Sequence, residues 1–292
     1  MASIKTIQLI RKHPLNRDQP WSALWRFVRW NLSSRLMPYP IIYPMTPKSK
    51  IIVGRKLTGA LINLYCGLVE YEDMFFALHF LRKGDLFVDI GANVGSFTLL
   101  ASAEVGARTI AAEPLPSTFQ HLIDNVRIND IESLVDAHNI GLGGQQGVLK
   151  FTQSLDTINH VAREGETGTV DVPVDTLDHL LEGKDPTLLK IDVEGFETEV
   201  VRGAGATLQN PALQAVIIEL NGLGSKYGYD EREVHAQLLS LGFASCSYDP
   251  ATRLLSPAGL KGIHNTLYVR NFDLVQKRVS EAAKVKVLGK SI

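Results

Sequence analysis

Between residues 86 and 220 the chain alternates short apolar runs with amphipathic stretches, and that alternation leaves few folds open to it. Leu86–Ile90, Arg108–Ala112, Leu134–Asn139, Thr187–Ile191 and Ala215–Leu220 read as strands. Between them, Gly95–Val105, a stripe of Phe119, Leu122, Ile123 and Val126, Leu177–Leu181 and a segment at about 195–208 read as helices. Strands joined through helices form a mainly parallel sheet covered on both faces, because a parallel connection needs a crossover. Asp230 and Glu233 mark a capping box ahead of Val234, Leu238 and Leu241. Phe243–Tyr248 and Thr266–Val269 read as closing strands, a hairpin at one sheet edge. The order breaks at Gly147–Thr152 and Thr169–Val174, two strand-like pieces around a Gly- and Thr-rich loop. These read as an insertion at the sheet edge that covers the site.

In an open sheet of this kind ligands bind beyond the carboxyl ends of the strands, where strand order reverses. The first strand ends in Asp89-Ile90-Gly91-Ala92-Asn93-Val94-Gly95-Ser96. Gly91 permits a tight turn, and Gly95 lets the following helix come close to the strand. Glu113, at the end of the second strand, is suited to accept both hydroxyls of a ribose. A dinucleotide turn is usually G-x-G-x-x-G and holds a pyrophosphate. Here the spacing is G-x-x-x-G and an acid, Asp89, precedes it. An acid there repels pyrophosphate and suits a cation, so the residues favour S-adenosylmethionine, with its ribose, ammonium and sulfonium, over a nicotinamide dinucleotide. Tyr65, Glu70 and Tyr71 lie in Leu64–Met74, a stretch expected to fold over the cofactor, where aromatic and acidic groups suit a sulfonium.

A second cluster follows strand Thr187–Ile191. Lys190 and Asp192 share one face of that strand. A lysine in an apolar strand is costly unless paired, so an acidic partner is expected. Asp192 would lie beside the methyl group as general base, with Glu194 near the cleft and Glu197 at a helix start. Asp192, Glu219 and Asn221 would offer three oxygen ligands for a Mg²⁺ ion. Among the histidines, His160 is the leading alternative base and His264 a further one.

Asp89–Gly95 (DIGANVG), Glu113-Pro114 and Leu189–Glu197 (LKIDVEGFE) together resemble the FkbM family of S-adenosylmethionine-dependent methyltransferases, over roughly residues 65–270. The resemblance implies a Rossmann-like class I methyltransferase fold, an α/β architecture with a seven-stranded, mostly parallel sheet and helices on both faces. It implies O-methylation, often of sugar or polyketide hydroxyls. By position it assigns Asp89, Gly91, Asn93 and Gly95, followed by Ser96, to the methionine part of the cofactor. Glu113 falls at the ribose and Asn139 at the adenine. The acceptor is expected to be a small molecule or glycan, not a nucleic acid. Two further readings stand beside this one: a nicotinamide-dependent oxidoreductase, and a non-catalytic nucleoside-binding module docked on a membrane.

The charge distribution adds an expectation about surroundings. Residues 1–56 carry eleven Lys/Arg against one acid, Asp18, a balance of +10, while the remainder is −11. A basic extension on an acidic body suggests contact with an anionic surface, such as a membrane, or with a second copy of the chain. Trp21, Leu24, Trp25, Val28 and Leu32 recur at helical spacing there, read as a helix packed on the body or a partner, or lying on a membrane. The four prolines in 38–47 exclude a regular helix. Three regions are expected: a basic extension over 1–60, a methyltransferase domain over 61–272 with its insertion at about 147–183, and a helix and tail over 273–292. Two cysteines, Cys66 and Cys246, in no metal-like spacing, argue against a disulfide framework or thiolate zinc site and for a reducing compartment, the cytoplasm. No apolar run is long enough to span a bilayer, and the first twenty residues lack the apolar core of a cleaved leader.

Overall fold

The computed structural model describes residues 4–292 apart from 38, 56, 154–158, 164, 261, 263 and 264; His264 thus lies outside the described residues. Its central sheet is built from β1 (Leu86–Ile90), β2 (Arg108–Ala112), β3 (Val135–His138), β4 (Leu188–Ile191), β5 (Ala215–Glu219), β6 (Ala244–Asp249), β7 (Leu254–Pro257) and β8 (Asn265–Val269). Their spatial order is β7-β6-β8-β5-β4-β1-β2-β3. The five strands from β5 to β3 are parallel, and β8 enters antiparallel between β5 and β6. This is the expected Rossmann-like frame with one strand more: β7 pairs antiparallel with β6 at the sheet edge. β6 and β8 pair as expected, but the hairpin at this edge joins β6 to β7.

Successive residues of each strand face opposite sides, so the apolar runs feed two cores. Phe87, Leu188 and Ile217 face one side, where helices Tyr71–Phe80, Pro116–Ile128 and Phe272–Glu281 cover them. Val88, Ile90, Leu189, Ile191 and Ile218 face the other, beneath the short helices from Leu177–Leu181 to Glu231–Ser240. Asp230 caps the latter helix by accepting from the Arg232 amide. The expected helix at 95–105 is Ser96–Leu99 followed by a π-helical turn, Leu100–Val105, and that at 195–208 is two short helices, Glu197–Arg202 and Gly205–Gln209.

Gly147–Thr152 and Thr169–Asp175 pair antiparallel, but in a separate three-stranded sheet completed by Gly141–Leu142, not as an extension of the main sheet. The amino-terminal extension is packed on the body. Ile10, Leu15, Ala23, Trp30, Ile51 and Val53 are buried in the same core as Phe75 and Phe87. The proline-rich stretch contributes Ile41–Pro44, which forms an antiparallel pair with Lys50–Val53. Asn125 and Asn129 clamp that pair, their Oδ1 atoms accepting from the Ile52 and Lys50 amides at 2.7 and 2.8 Å.

Helix Pro20–Leu36 packs on the body as expected, but through a different face from the apolar stripe. Its buried positions are Ala23, Trp30 and Ser34, while Trp21, Trp25, Val28 and Leu32 point outward. Among the described residues no helix is long and apolar enough to cross a membrane.

Candidate functional site

Strand order reverses between β1 and β4, which lie side by side with Ile90 opposite Ile191. A cavity of about 270 Å³ opens over their carboxyl ends. Its first wall is the turn after β1. Gly91 has φ +77°, and the amides of Gly91 and Ala92 both donate to the Ala112 carbonyl at 3.0 Å. Gly95 has φ +90°, and a Cβ there would lie 2.5 Å from Leu122 Cδ1. Glycine therefore lets the helix starting at Ser96 close onto Pro116–Ile128. Ser96 lines the cavity and its Oγ accepts from Asn63 Nδ2.

Asp89 lines the cavity and is buried. Its Oδ2 accepts from the Thr98 amide at 3.0 Å and the Thr98 hydroxyl at 2.7 Å, so this acid also caps the first helix of the site. Glu113, at the end of the neighbouring strand β2, is held against that same turn. Its Oε2 accepts from the Asn93 amide at 2.9 Å and its Oε1 from the Leu115 amide at 3.0 Å. Burial lifts its carboxyl to about 7 despite those two bonds. Each carboxylate oxygen can accept twice, which leaves one acceptor direction on each oxygen for a ligand.

The second wall comes from β4 and the turn after it. Lys190 is buried, its Nζ 2.6 Å from Asp192 Oδ2 and 4.7 Å above the Phe97 ring. Burial alone would lower its pKa, but Asp192, Glu70 and Asp89 outweigh that and hold the ammonium charged. Glu70 lines the cavity and accepts from Asn265 Nδ2 at 2.7 Å; burial lifts it to about 7. Glu194 has φ +57°, and burial followed by repulsion from Asp192 lifts its carboxyl to about 7. Glu197 turns away from the ligand side, accepting from the Val193 and Gly195 amides at 3.0 and 3.2 Å to hold the turn.

Asp192, Glu194 and Glu219 each offer an oxygen, all within 4.8 Å of one another. Asn221, expected in this group, spends its Oδ1 on the Leu223 amide, and Glu194 takes its place. Glu219 Oε2 is buried with no hydrogen-bond partner among the described residues. Burial, then Asp192 and Glu194, lift its carboxyl to about 8. A folded-state pKa above the unfolded value costs nothing in acid and a growing amount as pH rises to the folded pKa. Glu219→Gln is therefore expected to raise the unfolding midpoint by roughly 4 °C near pH 8.5 and to leave it unchanged near pH 4. The underlying relief is about 2 kcal/mol once partial solvent screening is allowed for. Equal midpoints at both pH values would refute an uncompensated carboxylate at this position.

Gly95, Glu219 and Asn221 do not line the cavity, and neither do Tyr65, Tyr71, Asn139 and His160. Tyr65 packs edge-on against Phe27, and its hydroxyl accepts from Asn31 Nδ2, so it joins the extension to the body. Tyr71 packs between His13 and Phe75. Asn139 donates to the Glu113 and Pro114 carbonyls at 2.8 and 2.9 Å, bracing the Glu113 turn from behind. His160 turns its Nε2 to Glu166, while its neighbours Asn159 and Val161 line the cavity. The apolar lining, Ile62, Met74, Phe97, Phe151 and Phe196, had no sequence signal, because these residues are indistinguishable from core by type and spacing.

Comparison with known proteins gives the following. The profile of the methyltransferase FkbM domain family matches residues 89–245. A hexuronic acid methyltransferase, AglP, of Haloferax volcanii is 30% identical over 174 residues, covering 59% of this chain and 68% of that protein. Methyltransferase 1 of Beauveria bassiana is 34% identical over 143 residues, covering 40% of this chain and 57% of that protein. The crystal structure of methyltransferase FkbM from Methylobacillus flagellatus aligns over 83% of this chain and 59% of that one, at 17% identity and a TM-score of 0.46. The chain thus spans 57–68% of the length of these two curated relatives.

Proposed function

Because the chain belongs to the FkbM methyltransferase family, we propose that it transfers the methyl group of S-adenosylmethionine to a hydroxyl of a sugar or glycan. The observation that carries the cofactor is Glu113, whose carboxylate is pinned by two backbone amides with one acceptor direction left on each oxygen. That matches the two adjacent hydroxyls of a ribose. Asp89, Glu70 and Asp192 also line the cavity, three acids around the one cation of Lys190, a balance that suits an ammonium and a sulfonium.

S-adenosylmethionine supplies an electrophilic methyl group on a charged sulfur. The chain's share is to orient the acceptor, keep water out and take a proton. Phe151, Val161 and Phe196 supply an apolar cover over the cavity. When a methyl group is transferred to the acceptor hydroxyl, the one proton released would be taken by the Glu194 carboxylate, with the Lys190-bound Asp192 beside it orienting the hydroxyl. Lys190 is a positioning residue that fixes Asp192. Glu194, at about 7, has the basicity of an acceptor working near neutral pH.

The acceptor class is supported by the name of the AglP relative, which acts on a hexuronic acid. Asp192, Glu194 and Glu219 gather three carboxyl groups close together, and beside raised carboxyls a further carboxylate is disfavoured while a hydroxyl is accommodated. The same three carboxylates, with the unpartnered Glu219 oxygen among them, suit a Mg²⁺ ion that would acidify the hydroxyl instead. Transfer that survives exhaustive chelation requires the carboxylate route; transfer restored only by Mg²⁺ requires the metal. Cys66 and Cys246 are both free and buried, in keeping with the cytoplasm.

Calorimetry with S-adenosylmethionine tests this reading directly. Wild-type protein is expected to show saturable heat, and Glu113→Ala to weaken binding by about a hundredfold, the loss of two hydrogen bonds to a charged group. Unchanged affinity in Glu113→Ala, or no heat with the wild type, would sink it. Mass spectrometry of glycans incubated with the deuterated-methyl cofactor then identifies the acceptor.

A further inference from the structure

We propose that helix Pro20–Leu36 docks the protein on the surface of an anionic phospholipid bilayer. At about 100° per residue, Trp21, Trp25, Val28, Leu32 and Leu36 fall within an arc of roughly 80°, with Arg29 and Arg35 on its two edges. The arc lies opposite the buried residues Ala23 and Trp30. Trp21 is 81% exposed, Trp25 62% and Leu36 85%, which for residues of this size is a surface awaiting a partner. Met37, Tyr39 and Ile42, which follow the helix in the chain, are exposed as well.

The occupant follows from the charge. The first 56 residues carry eleven basic groups against one acid, and that acid, Asp18, is paired with Lys290. Arg11, Lys12, Arg17, Arg29, Arg35, Lys48 and Lys50 are all exposed. A two-fold contact between copies sets the same patch against itself and would bring two strongly positive surfaces together. An anionic bilayer instead attracts each of these cations, while indole rings seat at the headgroup boundary and the aliphatic side chains just beneath. The helix does not swing free. Arg26 donates to Asn16 Oδ1 and to the Tyr65 carbonyl, bolting it to helix Thr58–Cys66, which also lends Gly59 and Ile62 to the cavity wall. A docked bilayer would therefore lie one helix layer from the cavity, within reach of an acceptor anchored in the membrane. Docking itself needs neither cofactor nor acceptor, so its failure is distinct from failure of the catalytic reading.

All three tryptophans, Trp21, Trp25 and Trp30, lie in this helix, so intrinsic emission reports on it alone. Full-length protein is expected to shift its tryptophan emission to the blue and to co-sediment with phosphatidylcholine vesicles containing phosphatidylglycerol. Partition onto phosphatidylcholine alone, or in high salt, should be at least about tenfold weaker. Trp21→Ala/Trp25→Ala should lose about tenfold or more of the partition with an unchanged unfolding midpoint, since both side chains are solvent-exposed. Equal partition of the double variant and wild type, equal partition on neutral and anionic vesicles, or none on either would overturn the proposal. So would a dimer in solution that this double substitution dissolves, which would assign the stripe to a second copy.

Discussion

Gly91→Ala is expected to lower the thermal unfolding midpoint by about 10 °C or to leave the chain insoluble, the largest effect of any single methyl group in the site. A Cβ at position 91 would lie 1.8 Å from the Asp192 carbonyl oxygen and 2.9 Å from its carbon. Both are backbone atoms, so no rotamer change relieves the overlap. Neither side can retreat cheaply. The Gly91 amide is bonded to the Ala112 carbonyl, and the Asp192 amide to the Ile90 carbonyl, each at 3.0 Å. The left-handed φ of +77° adds about 1–2 kcal/mol of strain for any side chain. Together these exceed roughly 4 kcal/mol, the range reserved for substitutions that break a structural constraint. A soluble Gly91→Ala protein melting like the wild type would show that the β1 and β4 turns do not meet this closely, and the cavity geometry would fall with that contact.

Lys190→Met should destabilise the fold by about 3–5 kcal/mol near pH 8, because it leaves buried acids without their counter-ion. Lys190 favours the charged forms of both Asp89 and Glu70, whose carboxyls burial already raises. Without it those folded-state values rise further. A carboxyl raised in the folded state costs stability progressively as pH climbs toward that value. The variant should therefore be closer to wild type at pH 5 than at pH 8, as read by urea unfolding at both. Losses of equal size at the two pH values would show that the lysine serves as packing and not as a cation.

The glycine turn, Glu113 and the Lys190–Asp192 pair were readable because strands and tight turns constrain direction. Two residues apart on a strand means one face, and an acid at a strand end points into the crevice. Asn139, Asn221 and His160 sit in connections, where direction follows from local φ and from which amide lies within reach. Asn139 and Asn221 accordingly spend their side chains on neighbouring backbone. Glu194 enters the acidic cluster through a left-handed backbone angle that no residue spacing announces. The extension illustrates a different limit. Periodicity showed that Trp21, Trp25, Val28 and Leu32 share a helix face, but a pattern of segregation does not say which side finds cover.

What the order of residues determined by itself was the alternating parallel sheet, the crevice at its switch point and the kind of chemistry placed there. Period, chain direction and the needs of buried backbone allow few alternatives. Only the tertiary structure decided that β7 adds an eighth strand, that Gly141–Leu142, Gly147–Thr152 and Thr169–Asp175 build a separate sheet, and that an indole-bearing helix faces solvent. Each of those depends on contacts between segments far apart in the chain, and contacts of that kind leave no periodic trace in either partner.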